Sequence, residues 1–357
     1  MSSTTATAQA MTMQHPARWV EEADGVFRGG GVKGIALAGA LAGFAEHPEK
    51  PVKRWVNVAG ASAGAIIACY LACGRSAQEM VELLTHTPFA SFRDSPGGLP
   101  GGVVNLIFRR GLARGEVFER WFDEQLNGAT FAHVSKAAAG AQDDDWHLKL
   151  IAVDVTKQRL LVLPEDLKDY RLPKGGGLID PAQFPIARAA RMSMSIPYFF
   201  EPVELVHRDG TQCQIIDGGT LSNFPVWLFD VDPSRVGRPP VRPTFGFTLT
   251  GGRSFRDRWT PLTKVTPWPL CFAFDIFHTA KDAWDARFVS QSTCVRTVTV
   301  SAADVATTDF DLSEDRQRLL LANGRNAARE FLDKFSLEDY VNSFHAAVTT
   351  IPATLSR

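Results

Sequence analysis

Cysteine is scarce in this chain. The five residues Cys69, Cys73, Cys213, Cys271 and Cys294 include no pair at Cys-x-x-Cys spacing. A sparse, odd set argues against a disulfide framework or a structural zinc site and makes a reducing compartment the expectation. Cys69 and Cys73 stand four apart on one predicted helix, where they read as small buried side chains. An excess of charge of either sign is missing too: 38 Lys and Arg face 39 Asp and Glu, a net charge of -1. That balance provides no global field to hold nucleic acid, so any contact with a phosphate or an anionic surface has to be local. No apolar run reaches the roughly 18 uninterrupted residues of a membrane span. Residues 1–20 read as a flexible tail, their Ser, Thr, Ala and Met lacking the basic start and apolar core of a signal peptide. A cytoplasmic protein touching membranes only at their periphery is expected. Asp143-Asp144-Asp145 reads as a solvated turn, and neither a metal nor a cofactor is called for.

What is present is an ordinary globular composition, 45% hydrophobic and 22% charged over 357 residues, which excludes disorder as the main state. Val26-Phe27 leads as a strand into Arg28-Gly29-Gly30-Gly31-Val32-Lys33-Gly34, and residues 35–45 continue as a helix. A second strand at 56–59 leads through a glycine turn into a helix over 65–73, closed by Gly74 at its C′ position. Two strand–turn–helix units in succession imply a parallel sheet with helices packed on its faces, and both turns then lie at the carboxyl ends of their strands, where open α/β sheets bind ligands. Further along, the pattern predicts an amphipathic helix over 116–126, paired strands at 148–153 and 159–163, and strands at 214–216 and 244–249. Ser336-Leu337-Glu338-Asp339 reads as a capping box opening the last helix, with Ser313 capping the one before.

No linker divides residues 21–357, which are expected to form one domain with an inserted loop near 86–112. That loop is rich in Pro and Gly and carries apolar Val103 to Phe108 before Arg109-Arg110; it reads equally as a lid or interfacial patch and as a surface loop packed on the core. The aromatics Phe255, Trp259, Trp268, Phe272, Phe274, Phe277, Trp284 and Phe288 suit an acyl-binding wall or an ordinary core.

Three glycine-flanked elements share one explanation in acyl transfer. Gly60-Ala61-Ser62-Ala63-Gly64 sets a hydroxyl on a sharp turn between strand and helix, the setting of a nucleophile elbow. Serine needs a base, and Asp217, at a strand end before Gly218 and Gly219, is the best-placed carboxylate. Attack on an ester creates an oxyanion, for which the main-chain N–H groups of Gly29, Gly30 and Gly31 at a helix start are suitable donors. Of the eight histidines (His15, His47, His86, His133, His147, His207, His278 and His345) none lies in a glycine-rich turn. A two-residue Ser62-Asp217 machine is the economical arrangement, although spacing alone leaves a triad open.

The loop at 29–34, the serine turn at 60–64 and Asp217-Gly218-Gly219, in that order, resemble the three signature blocks of the patatin-like phospholipases. The stretch from Ala187 to Pro202, with Ser193, Ser195 and Pro197, resembles the block preceding the aspartate, and Leu221-Ser222-Asn223-Phe224-Pro225 resembles the segment on its C-terminal side. The similarity covers roughly residues 25–250. It implies a three-layer α/β sandwich around a central, mostly parallel sheet, and a metal-free acyl hydrolase of phospholipids, lysophospholipids or related esters. By the same resemblance Ser62 is the nucleophile, Asp217 the proton acceptor, Gly29 to Gly31 the oxyanion hole and Lys33 a residue steadying that loop or meeting a headgroup phosphate. Gly34, Gly60, Gly64, Gly218 and Gly219 support the motifs. Arg28 departs from the small or acidic residue of many members, leaving the surroundings of the hole open. Activation by a partner or small-molecule signal is not assigned.

Competing readings are three. Gly29-x-Gly31-x-x-Gly34 satisfies a dinucleotide fingerprint, but the second strand ends in Asn57-Val58-Ala59 and not in the acid that would hold a ribose. A histidine-dependent α/β hydrolase would turn on His278 or His345. A catalytically silent lipid-binding module would keep the scaffold without the chemistry.

Overall fold

The computed structural model describes residues 21–87, 111–134, 146–229, 242–251, 293, 295–305, 309 and 312–348. The tail at 1–20, the apolar stretch at 103–108 with Arg109-Arg110, Asp143-Asp144-Asp145, the aromatics between 255 and 288, His278, Cys271 and Cys294 lie outside the described residues.

Along the chain come β1 Glu22–Phe27, α1 Gly34–Glu46, β2 Arg54–Ala61, α2 Ala63–Ala72, α3 Ala77–His86, β3 Gly111–Ala113, α4 Glu116–Gln125, β4 Leu148–Asp154, β5 Arg159–Leu163 and β6 Tyr170–Arg171. After them stand α5 Ile186–Ser193, β7 Tyr198–Phe200, β8 Val203–His207, β9 Gln212–Asp217, β10 Thr244–Thr250, β11 Thr297–Ser301, α6 Glu314–Lys334 and α7 Leu337–Val348. Nine strands form one sheet in the order β11-β10-β1-β2-β4-β9-β8-β6, with β5 also on β4. From β11 to β4 every pairing is parallel, as the two strand–turn–helix units require. Beyond β4 the pairings are antiparallel, so the sheet is mixed. Helices flank it in a three-layer α/β arrangement: α2 lies on β1, β2 and β4, α5 lies on β4 and β9 with α4 stacked on it, and α1 packs with α3 and α6 beside β10 and β11.

The helices reflect their composition. In α1 every residue from Gly34 to Phe44 is buried, the pattern of a helix apolar on all sides and enclosed by protein. Its Phe44 ring sits 5.1 Å from both Phe245 and Phe247 of β10, an aromatic cluster that Phe27, Trp55, Phe331 and Phe335 extend. α3 opens with a capping box in which the Ser76 hydroxyl accepts the Glu79 N–H and the Glu79 carboxylate accepts the Ser76 N–H. Ser336 likewise accepts the Asp339 N–H at 3.2 Å. Ser313 stands at the N-cap of α6, but its side chain makes no capping bond; Arg318 instead pairs with Glu314 and Asp315 in the first turn.

Between α1 and α6 the backbones nearly touch. A Cβ on Gly324 would lie 2.1 Å from the Ala36 carbonyl oxygen, and one on Gly39 would lie 2.3 Å from that of Leu321. Gly324→Val should therefore pry the helices apart and destabilise the fold by about 1–3 kcal/mol. Gly177→Ala, where a Cβ meets nothing within 4 Å, should stay within about 0.5 kcal/mol of the parent. Denaturant unfolding of both checks this, and equal stability of the two would show that the helix contact does not depend on glycine.

Candidate active site

β4 is buried along its whole length and has three neighbours. β5 runs beside it from Leu150 to Asp154 and so occupies one edge over that span. β2 pairs with Leu148 to Ile151 and β9 with Ala152 to Asp154, so these two share the other edge and meet head to head. The partner of Ile151 is Ala61, the residue before Ser62, and the partner of the next residue, Ala152, is Asp217. A serine and an aspartate 155 positions apart in the chain are thus brought to one point of the sheet. Both chains must turn aside there, and the glycines around Ser62 and after Asp217 leave room to do so: a Cβ on Gly218 would lie 2.0 Å from the Ile151 carbonyl oxygen, and one on Gly60 would lie 2.3 Å from that of Gly64.

Ser62 has φ 54° and ψ -129°, a conformation that costs a non-glycine residue on the order of 1–3 kcal/mol and is held only where its surroundings enforce it. α2 starts at the next residue, so the positive end of its dipole lies at the hydroxyl. The enforcing contact comes from the end of α5. The Ser193 hydroxyl accepts the Ser62 N–H at 3.1 Å and donates to the Ile151 carbonyl at 2.7 Å, standing between β2 and β4 where the ladder breaks. Ser62 is only 5% exposed.

Asp217 is 3% exposed and firmly set. Its Oδ1 accepts the Gly219 N–H at 2.6 Å, its carbonyl accepts the Thr220 hydroxyl at 2.7 Å, and its N–H donates to the Ser195 carbonyl at 2.9 Å. Ser193 and Ser195 therefore serve the two strand ends from one turn. Buried Arg191 braces that turn: its guanidinium donates to the Ser195 hydroxyl and to the Arg114 and Glu201 carbonyls, and lies 5.1 Å from the Phe200 ring centre. The block at 187–202 stands out in the sequence by resemblance alone. Its chemistry is hidden there because the partners of Ser193 are more than 40 and more than 130 residues away.

The glycine loop lies against the serine, the would-be Cβ of Gly29 falling 2.8 Å from Ser62 Cβ. Gly29's own N–H donates to the Asn223 carbonyl at 3.1 Å, so its hydrogen is already engaged. The N–H groups of Gly30 and Gly31 make no hydrogen bond among the described residues and are left available as donors. Gly31 takes φ 59° at the start of the short 3-10 turn Gly31–Lys33, and Gly34 begins α1. Lys33 is half-buried in that turn. Arg28, the departure from the family pattern, is tied to β10 through its N–H to the Phe247 carbonyl and its Nη1 to the Thr248 hydroxyl at 3.2 Å.

The described histidine side chains bond elsewhere: His47 to Asp333, His86 to the Glu82 carbonyl, His133 to Thr130, His147 to the Val56 carbonyl and His207 to Asp209. Burial pushes the Cys69 thiol up and that of Cys73 to about 11, which keeps both protonated at neutral pH and leaves them as packing groups. Among the described residues no group of three or more His, Cys, Asp or Glu could hold a metal ion. An open cleft of about 1140 Å³ beside α4 and α5, lined by Arg120, Lys174, Arg188 and Glu204 among others, includes neither Ser62 nor Asp217.

Comparison with known proteins gives the family and the fold. The model of the patatin-like phospholipase family matches residues 25–230. YqhO of Bacillus subtilis (strain 168), called an uncharacterized protein, is 36% identical over 321 residues, 88% of this chain and 99% of that protein. R571 of Acanthamoeba polyphaga mimivirus, called uncharacterized as well, is 26% identical over 205 residues, which span 57% of this chain and 60% of that protein. Among solved structures, VipD from Legionella pneumophila is similar with a TM-score of 0.53 at 17% identity, covering 88% of this chain and 67% of VipD, a likeness of fold.

The Ser193 bridge makes a direct prediction. Ser193→Ala strands two buried backbone groups, the Ser62 N–H and the Ile151 carbonyl, and should destabilise the protein by about 1–3 kcal/mol. Ser193→Thr keeps the hydroxyl and should recover part of that loss. Denaturant unfolding measures both, and an unchanged Ser193→Ala midpoint would show that the elbow is held by other contacts.

Proposed function

The chain belongs to the patatin-like phospholipase family, and from that premise we propose that it is a lipid acyl hydrolase working through a Ser62-Asp217 dyad. The family places it among the hydrolases of lipid esters. The observation that carries the finer reading is the head-to-head meeting of β2 and β9 on β4, which sets Ser62 and Asp217 at one point of the sheet with Gly29 against the serine.

In this reading Asp217 takes the hydroxyl proton as Ser62 Oγ attacks the acyl carbonyl. The oxyanion so formed accepts hydrogen bonds from the Gly30 and Gly31 N–H groups, backed by the N-terminus of α1; one such donor is worth about 3 kcal/mol in a site of this kind. Collapse expels the lysophospholipid or alcohol, which leaves with the proton held on Asp217. Water then attacks the acyl-serine, giving up a proton to Asp217, and the fatty acid departs as Ser62 recovers its hydrogen. No step calls on histidine, consistent with the bonding of the described imidazoles away from the serine turn. The substrate class is phospholipid or lysophospholipid; among the described residues no helix is long and apolar enough to cross a membrane.

Ser62→Ala and Asp217→Asn should each lower turnover of short-chain esters and of phospholipid vesicles by at least about a thousandfold, with thermal unfolding unchanged or nearly so. A fluorophosphonate probe should label the parent at Ser62 and leave Ser62→Ala unlabelled. Activity persisting in either variant contradicts the dyad, and a parent chain that neither labels nor turns over is a silent lipid-binding scaffold.

A further inference from the structure

Asn223, six positions after Asp217, grips the glycine loop at both ends of one residue. Its carbonyl accepts the Gly29 N–H at 3.1 Å, and its Nδ2 donates to the Gly29 carbonyl at 3.3 Å. The residue is 1% exposed, and its Oδ1 is buried with no donor among the described residues. The position of that oxygen is informative. A Cβ on Gly29 would lie 2.4 Å from Asn223 Oδ1 and 2.8 Å from Ser62 Cβ; a Cβ on Gly219 would lie 2.7 Å from the same Oδ1 and 2.9 Å from Asp217 Oδ1. One amide oxygen therefore abuts the glycine that touches the serine and the glycine that touches the acid.

We infer that Asn223 is a positioning residue that holds the glycine loop, Ser62 and the Asp217 turn in register; this rests on the serine-aspartate reading above. By engaging both the N–H and the carbonyl of Gly29, it sets the plane of the peptides on either side and so the direction in which the Gly30 and Gly31 N–H groups are presented. What the place asks of the side chain is a short donor, since Nδ2 must face the Gly29 carbonyl while the main-chain carbonyl of the same residue, which any residue carries, receives the N–H. Aspartate has the shape but not the donor. It would set one carboxylate oxygen against the Gly29 carbonyl and a second negative charge beside Asp217. Burying Oδ1 with no donor among the described residues costs the folded chain, a cost set against the bond that the other end of the amide makes at the loop.

The test uses the purified full chain with Asn223→Ala, Asn223→Asp and Ser62→Ala, tracking kcat and KM on a short-chain p-nitrophenyl ester across pH, fluorophosphonate labelling rate and thermal unfolding. Asn223→Ala should lose about 10- to 100-fold in kcat and in labelling rate with KM changed by less than about threefold. Asn223→Asp, close to isosteric, should in addition move the acidic limb of the kcat profile to higher pH, because a neighbouring carboxylate makes Asp217 harder to ionise. Wild-type kcat in either variant overturns the inference, as does a loss in Asn223→Asp that tracks the unfolded fraction while the pH profile stays in place. An inactive Ser62→Ala alongside fully active Asn223 variants sinks the inference alone. An active Ser62→Ala removes the reading on which it rests.

Discussion

Two strands arriving from opposite directions end against the same edge of β4, and everything at the site stems from that collision. Ile151 pairs with the residue before the serine, and Ala152 pairs with the aspartate. Neither strand can continue, so each chain must leave the sheet within one residue. The exits are built from glycine because the neighbouring backbone stands where a Cβ would go. Strand ends in a sheet are among the most rigid places to mount a side chain, which suits the proton transfer proposed between Ser62 and Asp217.

Such an arrangement carries unfavourable terms that the surrounding fold has to offset. Ser62 sits at positive φ, two strand ends lack their next ladder bonds, and Asn223 Oδ1 is buried with no donor among the described residues. The compensation is local and specific. Ser193 supplies the hydroxyl that completes the broken ladder, Ser195 supplies the carbonyl for Asp217, and Arg191 fixes the turn carrying both by bonding to Ser195, Arg114 and Glu201. Beneath them lies an apolar framework, with α1 enclosed between α6 and the aromatic cluster of Phe44, Phe245 and Phe247. Strain at the centre and dense packing around it belong together, since a soft core would let the turn at Ser62 relax.

Local chemistry is legible in the residues and long-range pairing is not. Strand, glycine turn and helix around Gly29 to Gly34 and around Ser62 can be read directly, because glycine placement and apolar runs act over a few residues; β1 merely begins earlier, at Glu22, and β2 runs on to Ala61. The pairing of β4 with β5 is equally visible from two apolar runs and a short turn. The convergence of Ala61 and Asp217 is not, because it depends on the register of a third strand far from both. Of the antiparallel wing, β9 is legible as the strand at 214–216, whereas β6 is only the pair Tyr170–Arg171, too short to leave a periodic pattern. The engagement of the Gly29 N–H is hidden as well, its acceptor lying 194 positions away. The engagement of Asn223 likewise leaves no trace in spacing, since an Asn in a turn is most simply explained by the turn itself.

The decisive requirement is geometric: one alcohol, one acid and two main-chain donors converge at the head-to-head strand ends. A crystal structure of the protein covalently modified by a fluorophosphonate is its sharpest trial. The expected outcome is phosphorus bonded to Ser62 Oγ, its phosphoryl oxygen within hydrogen-bonding distance of the Gly30 and Gly31 N–H groups, and the Asp217 carboxylate beside Ser62 Oγ. Phosphorus on another residue, or on Ser62 with its oxygen held by other donors and Asp217 turned away, would refute the dyad and its oxyanion site.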